Sequence, residues 1–280
     1  MARPTRDPHK APDMHIRVGY DIVHECAGPT PMMLMLNLRP ERQVDLVTPE
    51  TLRIDPPVPA RQYADRFGNI CTRIVAPAGP IRLTADFIVS DDGLPDRPGT
   101  DAIQHPVDEL PSEMLVFLLG SRYCETDRLM EPAWAMFGGI APGWARVEAI
   151  VQWVNGRITF GYHNARNTRS AWEGFNEGVG VCRDFAHLAV TLCRCMNIPA
   201  RYCTGWLPDI GVPVELPMDF SAWFEVYLGG RWHTADARHA GPRIGRILMA
   251  HGRDATDTAI STAFGPNVLT RFDVIGEPVL

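Results

Sequence analysis

The sequence predicts an α+β fold in which a β-rich first part precedes a part that combines helices with an antiparallel sheet. Short alternating apolar runs, broken by Pro, Gly and Asn, fill the chain up to about residue 95. Apolar residues at helical spacing dominate from there to about residue 197. Two strand-like runs then flank the pair Gly229-Gly230, the signature of a tight hairpin. Helices first and a sheet afterwards is an α+β order rather than an alternating α/β one.

In chain order, residues 1–12 are polar, carry Pro4, Pro8 and Pro12, and read as a flexible tail. Residues 13–95 form the expected N-terminal β-sandwich-like domain. Its first strand puts Ile16, Val18, Tyr20 and Ile22 on one face, and "MMLMLNL", "QVDLVT", "ICTRIVAP" and "IRLTADFIVS" follow as further strands. The run "SDDGLPDRPGTD" at 90–101 reads as a linker, and 96–280 as a second domain. In that domain "PSEMLVFLLG", "GWARVEAIVQWVNG" and "CRDFAHLAVTLCRCMN" read as helices. "ARYCTGW" and the hairpin "SAWFEVYLGGRWHTADARH" then return to strands.

Composition narrows the function. An apolar content of 45% with 21% charged residues is a globular balance, and a net charge of −6 leaves no basic surplus for a nucleic-acid partner. The N-terminus lacks an apolar stretch of the signal-peptide kind, and no run suits a membrane span. A cytoplasmic protein without a membrane partner is therefore expected. The seven cysteines, odd in number and without compact spacing, read as reduced thiols. Cys193 and Cys195 stand two apart on a helix and point away from each other, so neither a metal nor a cofactor is expected.

Cys182 is the residue to which chemistry attaches. Gly178 and Gly180 allow a tight turn before it, and it opens a helix whose buried stripe is Phe185, Leu188, Ala189 and Leu192. Free N–H groups and the helix dipole favour a thiolate there, so a lowered thiol pKa is expected, with N–H groups at hand for an oxyanion. A cysteine nucleophile also needs a base and a group that orients it. A two-residue turn at 229–230 pairs Leu228 with Arg231 and sets Trp223 opposite Asp236. Ser221, Trp223 and Glu225 then share a face with Thr234, Asp236 and Arg238. An imidazole would belong beside Asp236, at residue 221.

These stretches carry a resemblance. "GVGVCRDFAHLAVTLCRCMNIPARYCTGW" and "FSAWFEVYLGGRWHTADARH" resemble the nucleophile helix and the His–Asp hairpin of the bacterial transglutaminase-like family of cysteine hydrolases. "YADRFGN" is similar to the β-domain that commonly precedes that core, and "SRYCETDRL" and "GRDATD" also fit. The resemblance implies a papain-related transglutaminase core, with a nucleophile helix packed on an antiparallel sheet. It also implies Cys182 as nucleophile and Asp236 as orienting acid.

One departure stands out: the family's hairpin reads His-Ala-Trp, and this chain reads Ser221-Ala222-Trp223. A hydroxyl is no base near neutral pH. The implied activity is therefore a cysteine hydrolase acting on an amide or peptide bond but impaired by Ser221. The alternative is an inactive pseudoenzyme that binds a peptide or protein in the retained cleft. The expected partner is a peptide, protein or small amide substrate. His233 is the candidate replacement base if a bulge turns it toward Asp236. Without a bulge, His233 and His239 both fall on the opposite face. His187 reads as a packing residue, and Trp172 and Trp223 as walls of the cleft. Asp254 and Asp257 suit a helix carrying salt bridges to Arg243, Arg246 or Arg253.

Overall fold

Alternation makes the first strand. In the computed structural model, which describes residues 14–279, β1 (Met14–Cys26) buries Ile16, Val18, Tyr20 and Ile22 and sends Arg17 and Asp21 outward into ion pairs. The expected tail at 1–12 lies outside the described residues. Next come β2 (Thr30–Leu34), β3 (Arg53–Asp55), β4 (Arg61–Ala64), β5 (Ile70–Ala76) and β6 (Gly79–Asp91). The helical part contains α1 (Thr126–Phe137), α2 (Trp144–Arg157), β7 (Thr159–Phe160), α3 (Ala171–Glu177), β8 (Val179–Gly180) and α4 (Cys182–Cys195). The strands β9 (Ala200–Trp206), β10 (Ser221–Leu228), β11 (Arg231–Ala235), β12 (Ile247–Gly252), β13 (Ser261–Ala263) and β14 (Asn267–Pro278) complete it.

Two four-stranded antiparallel sheets, β14-β1-β6-β3 and β13-β2-β5-β4, enclose one apolar core built from Ile16, Val18, Met32, Leu34, Ile74, Leu83 and Phe87. The last stretch of the chain returns to this unit. β14 runs along β1 from Ile16↔Pro278 to Cys26↔Asn267, and β13 pairs with β2. Nothing in the local pattern of "NVLTRFDVIGEP" announces that partner, because strand pairing at such sequence distance is set by tertiary packing.

The second unit is a sheet of order β11-β10-β9-β12 with α4 packed against it. The expected stripe Phe185, Leu188, Ala189 and Leu192 is buried, but α4 is enclosed almost all round, including His187 and Arg194. The Arg194 guanidinium is accommodated by donating to the carbonyls of Leu119, Ala200 and Arg253. The α2 stripe Val147, Ile150, Val151 and Val154 faces the same core.

Several local expectations are corrected. "QVDLVT" is not a strand: Pro40–Asp45 forms a 3-10 turn, and only an isolated bridge joins Leu46 to Val89. Val44 and Val47 are exposed and only Leu46 packs against the core, so that run has no alternating apolar face to bury. "PSEMLVFLLG" winds only as a 3-10 turn over Ser112–Phe117 with Phe117 alone buried, because its apolar residues do not form a stripe. The 253–258 segment is a turn, not a helix. Two helices escaped the sequence reading: α1, interrupted by Pro132, and α3, whose Ser170–Glu173 capping box was readable in "SAWE".

Trp206 joins the two units. It belongs to β9, yet its fully buried ring packs among Tyr20, Phe87 and Phe220, and its Nε1–H donates to the Gly19 carbonyl at 3.2 Å. Among the described residues no helix is long and apolar enough to cross a membrane. Trp206→Ala is expected to cost about 3–5 kcal/mol. Urea titration followed by circular dichroism should show one transition shifted as a whole, since the two units share this side chain. Two separate transitions with only one displaced would contradict that coupling.

Candidate active site

The hairpin forms in the expected register. Gly229 and Gly230 both adopt positive φ, 58° and 80°, as a two-residue turn of this hand requires. Leu228 pairs with Arg231, and pairing ends at Phe224↔Ala235. Asp236 therefore stands one residue beyond the last pair, diagonal to Ser221. Ala222, Phe224 and Val226 point toward α4, while Trp223 lies beneath the Arg246 guanidinium on the other side.

Cys182 sits at the first position of α4, as the sequence implies. Gly180 has to be glycine because an added Cβ would stand 2.6 Å from the Asp184 carboxylate, which folds back to accept the Val181 N–H. The thiol reaches the start of β10, with Sγ 4.0 Å from the Phe220 carbonyl. Its acidity departs from expectation. Burial first, and the Asp219 carboxylate second, push the Cys182 thiol up to about 11, against the pull of Arg238 and of backbone hydrogen bonds with Ala222 and Arg183. The helix N-terminus is present, but desolvation outweighs it.

Ser221 is buried beside Cys182, and its Oγ has no hydrogen-bond partner. Both residues line a small cavity of about 30 Å³, with Tyr162, Phe220, Arg238 and His239 among its other walls. A loop between β9 and β10 roofs this cavity. The roof is tied down by Arg238 donating to Glu215 at 3.2 Å, Arg243 donating to Asp209 at 2.8 Å, and the Tyr162 hydroxyl donating to the Pro217 carbonyl at 3.3 Å.

Asp236 is buried and has four donors. One carboxylate oxygen accepts the backbone N–H groups of Arg238 and His239; the other accepts from Arg246 Nη2 and His239 Nδ1, each at 2.8 Å. Burial works against its charge, yet Arg246 and the His239 hydrogen bond outweigh burial and hold the carboxyl well below the usual carboxylate range. Arg246 is shared with Asp96 at 2.7 Å, so the segment read as a linker carries part of the site's support.

The histidines sort differently from expectation. His239 is not on the face away from Asp236: β11 stops at Ala235, a turn follows, and strand alternation no longer applies. His233, the candidate replacement base, does stay on the opposite face. It is buried near Trp144, with Nε2 3.2 Å from the Leu228 carbonyl, and it lines a different cavity. His187 is buried between Tyr123 and Tyr202 and accepts the Ala255 N–H. Trp172 stacks on Phe175 under Arg128, and neither it nor Trp223 lines the Cys182 cavity. Tyr162, Asp219, Arg238 and His239 are among the cavity residues that the sequence did not assign to the site. The spacing Asp236-x-x-His239 was the available signal, since an Asp side chain commonly caps a turn of its own following residues. Of the acidic pair further on, Asp257 bonds Arg253 at 2.8 Å, and Asp254 accepts the N–H groups of Tyr123 and Thr256.

Comparison with known proteins agrees with this fold. A family model described as the transglutaminase-like superfamily core matches residues 135–237. A crystal structure of a "Putative Cysteine Protease" from Cytophaga hutchinsonii superposes with a TM-score of 0.84 and 29% identity, over 96% of this chain and 92% of that one. An uncharacterised protein of Mycobacterium leprae is 26% identical over 77% of this chain and 80% of its own length. The chain therefore shares its fold with that cysteine-protease-like structure, and its segment 135–237, which holds the helix-borne cysteine and the hairpin, is similar to the transglutaminase-like superfamily core.

Proposed function

We propose that this protein is a cysteine hydrolase of amide or peptide bonds in which Cys182 attacks the carbonyl carbon and a thioester is then released by water. The observation that carries the reading is that Cys182 and His239 line one roofed cavity, with His239 Nδ1 held by Asp236 from behind. Hydrolysis rather than transamidation is the reaction proposed. The seven free thiols support a reducing, cytoplasmic setting. Ser221 itself cannot serve as the base, since a neutral hydroxyl takes no proton from sulfur.

The high thiol pKa favours a second reading, a pseudoenzyme that binds a peptide in the cleft without turning it over. With the thiol pushed up to about 11, chiefly by desolvation, little of Cys182 is thiolate at pH 7. Hydrolysis of p-nitrophenyl acetate separates the readings: the enzyme loses it in Cys182→Ala, whereas the pseudoenzyme shows no Cys182-dependent rate at all.

Because the folded thiol pKa lies above the ordinary value of 9.0, iodoacetamide labelling of Cys182 should lag that of an ordinary cysteine at pH 8. It should then climb about tenfold per pH unit toward pH 11. Peptide mass spectrometry after timed labelling reads this directly, and a plateau below pH 8 would contradict it. Ser221→His should raise the esterase rate, by less than the roughly ten-thousandfold that a placed base contributes where none acts. An unchanged rate in a folded Ser221→His protein would show that residue 221 is not where a base acts.

A further inference from the structure

Among the described residues the Cys182 cavity contains one imidazole, that of His239. Its position follows from a local rule. The strand ends at Ala235, the Asp236 carboxylate accepts the N–H groups of Arg238 and His239, and the Ala240 N–H closes onto the Asp236 carbonyl at 3.0 Å. That turn swings the ring back onto Asp236. The carboxylate is ionised and can only accept, so Nδ1 carries the proton it donates. Nε2 is thereby left as the basic nitrogen. A nucleophile, a base and a third group orienting the base is the arrangement such chemistry needs, and the third group is in place.

We infer that His239 is the general base of this site, in place of an imidazole at 221. The inference rests on the reading of Cys182 as nucleophile. As the Sγ–carbon bond forms, Nε2 takes the thiol proton; the C–N bond breaks, and the same proton passes to the departing amine. Water then adds to the thioester, giving one proton to Nε2, which returns it to sulfur as the acid leaves. A thiol that is protonated at rest requires such an acceptor during attack. Arg246 fits the scheme as a positioning residue, because it fixes the Asp236 carboxylate on which the ring rests.

The test compares wild type, His239→Asn, Ser221→His and the double variant in p-nitrophenyl acetate hydrolysis, each above the Cys182→Ala background. His239→Asn should lower kcat about a hundredfold or more with KM little changed. The double variant should stay within a few-fold of Ser221→His alone, since residue 221 then supplies the base. His239→Ala should regain activity when free imidazole is added, a response that a purely structural histidine does not give. A loss in the double variant as large as in the wild-type background, no loss in His239→Asn, or no rescue by imidazole overturns the assignment. Turnover that survives in Cys182→Ala overturns the hydrolase reading itself, and the two failures are thereby distinct.

Discussion

The buried Asp236 carboxylate is the constraint on which the site depends. Its four donors come from the turn that follows β11 and from Arg246, and Arg246 in turn grips Asp96 from the segment between the two units. Removing one partner of a buried ion pair costs about 3–5 kcal/mol, because the other charge is left without compensation. The carboxylate thus orders three separate stretches of chain at once, and it is acidic enough to remain charged throughout the range in which proteins are stable.

Around that anchor the cavity is arranged with opposing tendencies. A helix N-terminus and Arg238 favour a thiolate at Cys182, while burial and Asp219 disfavour it, and the second pair prevails. The roof formed between β9 and β10 narrows the space beside the sulfur to about one water molecule, while Cys182 itself stays partly exposed. The Glu215–Arg238 and Tyr162–Pro217 contacts hold that space small.

Much of this was legible in the sequence where local rules decide. Alternation gave the face of β1, helical spacing gave the buried stripe of α4, and the Gly229-Gly230 turn gave the hairpin register to the residue. What escaped was decided elsewhere. β14 finds β1 across most of the chain, and no local pattern encodes that partner. The Cys182 acidity was misjudged because a helix dipole is a local property whereas desolvation depends on the roof packed over it. His239 was assigned by strand alternation past the point where the strand ends, and the turn built on Asp236 reversed its direction.

The central claim is that the thiol at the head of α4 forms the covalent intermediate. Rapid acid quenching of the protein mixed with p-nitrophenyl acetate, followed by peptide mass spectrometry, tests this most directly. The account predicts an acetyl group on the peptide carrying Cys182 that appears before steady-state product and decays with turnover. Product formed while that peptide stays unmodified, or an acetyl group confined to another cysteine, would contradict it.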